Sequence, residues 1–160
     1  MFMQIKKALA LSIIVFTTMH AGAQDKSAAR KQQFNIGSDA VAVKGYDPLA
    51  YFTQQKSVKG KKEWAVSHQG VIYYFSSVEN KELFKKNPGA YEPQYGGWCA
   101  YAMGASAEKI PVDPETFKIV NGKLFLFYNK FFNNTLIKWN KDELHLHTNA
   151  DANWSKLFKQ

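Results

Sequence analysis

The dipeptide Asn121-Gly122 constrains this chain most. It lies between Phe117-Lys-Ile-Val120 and Lys123-Leu-Phe-Leu-Phe-Tyr128, and Asn-Gly is the favoured pair for a two-residue type I′ turn, whose central residues both need positive φ. An antiparallel hairpin is expected there. A second is expected where Gln69-Gly70 separates Trp64-Ala-Val-Ser-His68 from Val71-Ile-Tyr-Tyr-Phe75, two strand-like runs joined by a turn pair. Helical signals surround the hairpins. Ser76 and Glu79 fit a capping box opening a helix that runs to Lys86 and stops at Asn87-Pro88-Gly89. Asp47 can cap a helical start at Pro48. Phe131, Thr135, Leu136, Trp139 and Leu144 follow helical spacing, and residues 152–158 suggest a short closing helix. Without an internal repeat or linker, the pattern predicts one small α+β domain: two β-hairpins in an antiparallel sheet and several short helices.

The first residues set the expected compartment. Lys6 and Lys7 precede the apolar run from Ala8 to Met19, and Ala21-Gly-Ala23 follows it. That is the pattern of a signal peptide over residues 1–23, cleaved after Ala23. The run is too short for a good transmembrane helix, and no cysteine follows it to carry a lipid. The expected location is secreted or periplasmic. Residues 24–35 are polar and charged at their start and read as a flexible lead-in, leaving residues 36–158 as the domain. Twelve Phe, eight Tyr and four Trp can supply one core without disulfides. The net charge is +8 with neutral histidines, two units of it on Lys6 and Lys7. The most basic run, Lys56-Ser-Val-Lys59-Gly-Lys61-Lys62, reads as a solvated loop. Export removes the usual nucleic-acid partner and no recognition motif is present, whereas the charge suits an anionic envelope surface.

Cys99, the only cysteine, cannot form a bridge within the chain. Gly96-Gly97 permits a sharp entry to a helix starting near Trp98, which would put Cys99 in its first turn. Free N–H groups and the helix dipole favour a thiolate there. Cys99 and Met103 would then share a face at i and i+4, and a thiolate with a thioether suits Cu(I). The plain alternative is that both pack in the core. His68 is the third candidate ligand if its hairpin packs on that helix; otherwise it lies exposed at the hairpin tip. His145 and His147 diverge by about 200° if helical, which disfavours a joint site. Tyr95, Trp98 and Tyr101, with Tyr91, form the densest aromatic cluster. They either pack as core or wall a pocket for a cofactor beside Cys99. Asp47, Glu92 and Asp113 show no paired spacing, and no phosphate loop, serine elbow or c-type haem motif occurs. An enzyme is therefore not indicated, a Cys99–His68 thiol enzyme being the remaining alternative.

The segments "GYDPLAYF", "GVIYYFSSVENKELFKKNPGAYEPQYGGWCAYA", "VDPETFKIVNGKLFLFYN" and "ADANW" resemble the longer, exported form of the YHS domain family, over Ile36 to Phe158. Short YHS modules occur beside copper-transporting ATPases and in some oxygenase systems. Their proposed metal pair is a cysteine in a "YFCS" segment and another four residues on. Here those positions hold Ser76 and Asn80, so the pair does not carry over; the cysteine after Gly-Gly, Cys99, is what the exported forms share. The resemblance leaves the role of the exported forms unassigned; the residues themselves point to a small extracytoplasmic binding module. Copper or another soft ion would sit at Cys99, Met103 and His68. The alternative is a structural or interaction domain of the envelope with Cys99 buried.

Overall fold

The computed structural model describes residues 26–158; the expected signal segment, residues 1–23, lies outside them. Both expected turns fold the chain back on itself. Gln69 (φ 46°) and Gly70 (φ 82°) join β1 (Lys61–His68) to β2 (Val71–Phe75). Asn121 (φ 49°) and Gly122 (φ 70°) join β3 (Asp113–Val120) to β4 (Lys123–Phe127). The strands are antiparallel, with His68 opposite Val71 and Val120 opposite Lys123. Each hairpin is a two-stranded sheet of its own. A third, short hairpin pairs β5 (Asn129–Lys130) with β6 (Asn133–Asn134), with Phe131-Phe132 as its turn. Helical spacing had suggested that Phe131 opens a helix; the helix starts only at Thr135.

The helices are α1 (residues 26–33), α2 (Ala50–Thr53), α3 (Val78–Lys86), α4 (Pro88–Tyr91), α5 (Ala100–Ser106), α6 (Thr135–Trp139) and α7 (Glu143–Leu157). The architecture is thus a small mixed α+β domain. Two expectations need correction. The supposed flexible lead-in contains α1, anchored through Arg30, which is only 6% exposed, and through Gln33, whose carbonyl accepts the Trp98 indole N–H at 2.7 Å. A polar composition hid these two anchoring contacts. The cap of α3 is Ser77, whose Oγ accepts the Asn80 N–H at 3.1 Å; Ser76 is engaged elsewhere.

The apolar run of β4 is explained by burial on both faces, since alternate side chains of a strand point opposite ways. Leu124 and Leu126 pack with Leu49, Tyr51, Val71, Phe75 and Cys99. Phe125 and Phe127 pack with Tyr95, Met103, Trp139 and Ala150. On the second side α5 crosses α7 at Gly104, where a Cβ would lie 2.3 Å from the Leu146 carbonyl oxygen. Only glycine admits that approach.

Candidate functional site

The segment leading to Cys99 runs beside β4. Pro93 bridges Leu124 and Cys99 bridges Leu126, so six steps of this segment match two of β4. The excess is looped out by three successive left-handed residues, Tyr95 (φ 56°), Gly96 (φ 60°) and Gly97 (φ 82°). A Cβ on Gly96 would stand 2.8 Å from Phe34 and 2.9 Å from Trp154. Helix α5 begins only at Ala100, so Cys99 precedes it with extended backbone (φ −59°, ψ 116°) and is not in its first turn. The thiol is fully buried. Tyr128 donates its N–H to Sγ at 3.4 Å, and Thr135 Oγ1 lies 3.4 Å away. The Thr135 hydroxyl proton goes to the Tyr128 carbonyl at 2.8 Å, which leaves the Cys99 S–H as donor to Thr135. Cys99 thereby fastens Tyr128 to Thr135, the residues that bracket the β5–β6 hairpin.

The three expected metal ligands lie in three settings. Met103 is buried on the other side of β4, against Phe125, Phe127 and Trp139; the extended ψ of Cys99 breaks the i, i+4 face that would have joined them. His68 is half-buried rather than exposed at a tip, its ring edge-on to Phe84 with centroids 6.2 Å apart. Its pKa is lowered by burial, with Glu92 pulling it up and Arg30 down. Among the described residues, no group of three or more His, Cys, Asp or Glu is arranged to hold a metal ion. His145 and His147 share α7, as their spacing on a helix requires, and take separate partners: Asp142 for His145 at 3.1 Å and Asp151 for His147 at 3.6 Å. The expected aromatic wall also disperses. The Trp98 indole reaches Gln33, the Tyr101 ring lies under the Lys138 ammonium at 5.8 Å, and the Tyr95 hydroxyl donates to Asp151 at 2.8 Å.

Two constellations were not foreseen. The first centres on Asp47, with no exposed surface. Its Oδ1 accepts the N–H groups of Leu49 (2.8 Å) and Ala50 (3.3 Å), the capping role expected of it. Its Oδ2 accepts Ser76 N–H (2.7 Å), Ser76 Oγ (2.6 Å) and Asn80 Nδ2 (2.8 Å). Every partner is a donor, as a carboxylate requires. The carboxylate thus forms a knot that joins α2, the end of β2 and α3. The residue types alone did not reveal it, because Asp47 and Ser76 are far apart in sequence.

The second is a cleft of about 380 Å³ beside Tyr95. On one wall the Arg30 guanidinium makes a two-pronged pair with Glu92, and Glu92 also accepts the Tyr73 hydroxyl at 2.7 Å. Burial first, and then that carboxylate, raise the Tyr73 pKa, with Arg30 acting the other way. Arg30 also lies over the Phe34 ring at 4.3 Å. On the other wall Trp154 stacks on Phe158 at 5.3 Å, with Phe34 tilted against both. Lys123 and Asp151 complete the rim. The glycine at 96 is what lets Phe34 and Trp154 close over the turn. Tyr95 is therefore at a cavity, as one reading of the sequence had it, but that cavity is not centred on Cys99.

Comparison with protein-family models, with curated proteins and with solved structures returns no match for this chain. Among the described residues, no helix is long and apolar enough to cross a membrane.

Proposed function

We propose that this chain is a small extracytoplasmic binding module, related to the exported YHS form, whose ligand seats in the cleft beside Tyr95. The observation that carries the reading is the pairing in that cleft of a three-ring aromatic surface with a polar rim. Phe34, Trp154 and Phe158 offer flat apolar faces, while Lys123 stands on the rim without an ion-pair partner among the described residues. Such a combination suits a small organic anion with a flat ring. In this reading Cys99 is a core thiol that holds neighbouring elements in place. The signal-like first residues and the motif resemblance support an envelope location.

Fluorescence titration with anilinonaphthalene sulfonate, a flat aromatic anion, tests the reading. Saturable binding is expected, weakened by Lys123→Glu and by Trp154→Ala and retained in folded Cys99→Ala. Binding that ignores both cleft substitutions would remove the proposal. The soft-metal reading makes a separate prediction, stoichiometric Cu(I) uptake by the wild type that Cys99→Ala loses. A cleft-centred module predicts no such Cys99-dependent uptake.

A further inference from the structure

The β5–β6 hairpin ends in a feature that no contact among the described residues explains. Asn129 pairs with Asn134 and Lys130 with Asn133, leaving Phe131-Phe132 as a two-residue turn. Both have positive φ, 50° and 63°, the backbone that Asn-Gly ordinarily supplies and that a bulky side chain adopts only under strain. The rings gain no burial in exchange: Phe131 is 88% exposed and Phe132 fully so. The base of the hairpin, by contrast, is fastened. Asn129 Nδ2 donates to Thr116 at 3.0 Å, Asn134 Oδ1 accepts the Leu136 N–H at 3.0 Å, and Thr135 donates its N–H to Tyr128 O at 3.0 Å. Cys99 closes the same base through Tyr128 and Thr135. Two phenyl rings are thus held outward on a braced stem.

The chain that follows the tip is basic, and the carboxylate nearest the stem, Asp113, is engaged by the Thr116 hydroxyl at 2.9 Å. From Lys130 to Lys141 the chain carries Lys130, Lys138 and Lys141 and no Asp or Glu. None of these three is ion-paired among the described residues. Lys130 adjoins the tip directly, and Ile137, 59% exposed, follows one short helical step later.

We propose that the Phe131-Phe132 tip is a membrane-docking wedge, inserting its two rings into the surface of an anionic lipid bilayer with Lys130 and the neighbouring lysines at the headgroups. Aromatic side chains favour the boundary between headgroup and acyl chain, and lysines near an anionic leaflet add attraction within a Debye length. The wedge acts independently of the Tyr95 cleft and requires only that the protein meet a bilayer, as an exported chain does.

Vesicle co-sedimentation of the protein purified after export provides the test, using vesicles of phosphatidylglycerol and phosphatidylcholine in equal parts and vesicles of phosphatidylcholine alone. Phe131→Asn/Phe132→Gly retains the turn type while removing both rings, and it shares the wild-type N-terminus, so any binding through the N-terminal residues cancels. The double variant should bind the anionic vesicles more weakly by about tenfold or more, Lys130→Glu should weaken binding to anionic vesicles specifically, and added salt should weaken the wild type. In Phe132→Trp, brominated lipid should quench the new indole. Equal binding by wild type and double variant, or no binding by either, overturns the proposal. So does a wild-type dimer, detected by sedimentation, that the double variant abolishes without any change in vesicle binding, since the tip would then serve a second copy of the chain.

Discussion

Two places in this molecule reverse the usual distribution of polarity, and they do so in opposite ways. At Asp47 a carboxylate is fully buried; at Phe131-Phe132 two phenyl rings stand in solvent. The carboxylate is answered from within: five contacts from donors on three elements replace the water it gave up, which is what a buried polar group requires. Among the described residues nothing covers the rings, and their backbone is strained besides. A satisfied inversion is a structural device. An unsatisfied one, kept in place by a braced stem, points outside the molecule.

The largest effect should come from breaking the satisfied inversion. Asp47→Ala leaves the Asn80 amide and several N–H groups without acceptors, and a loss of about 4 kcal/mol in denaturant unfolding is expected. A loss below about 1 kcal/mol would mean that the knot is not what joins α2 to α3. Next comes the α5–α7 crossing that backs the second side of β4. Gly104→Ala drives a methyl into the Leu146 carbonyl, with an expected cost of about 3 kcal/mol from forced separation of the helices; unchanged stability would show that the helices part easily.

The smallest effect concerns His68, a polar group only half removed from water. Burial holds its pKa below the ordinary 6.5, so the folded state binds the proton less readily than the unfolded chain does. Its contribution is therefore present above that ordinary value and fades as pH falls through it toward the folded one. Stability measured below about pH 6.5 should decline less steeply in His68→Gln than in the wild type. Identical slopes would show that the site does not distinguish the two protonation states.

What the sequence disclosed follows the range of the interactions. Asn121-Gly122 and Gln69-Gly70 encode their turns within two residues, and both hairpins stand where the pattern puts them. The cap by Asp47 on Leu49 and Ala50 is equally local. The other oxygen of the same carboxylate reaches Ser76 and Asn80, a link that exists only after β2 has folded back. Cys99 was legible as unusual but not as a hydrogen-bonded core thiol, because Tyr128 and Thr135 meet it from the far side of a hairpin that was read as helix. Phe131 misled for a physical reason: its spacing to Thr135 and Leu136 fits a helix, and nothing in its type announces a left-handed turn. Arg30 was hidden likewise, since a polar segment gives no sign of one side chain finding Glu92.

The Phe131-Phe132 turn is held in a conformation that its own residues disfavour. Equilibrium denaturant unfolding of the wild type and of Phe131→Asn/Phe132→Gly measures this directly. Residues suited to positive φ should relieve the strain, and the double variant should be more stable by about 1–2 kcal/mol. A variant less stable than the wild type would show that the two rings hold the fold together, and the outward-facing role of the tip would fall with that result.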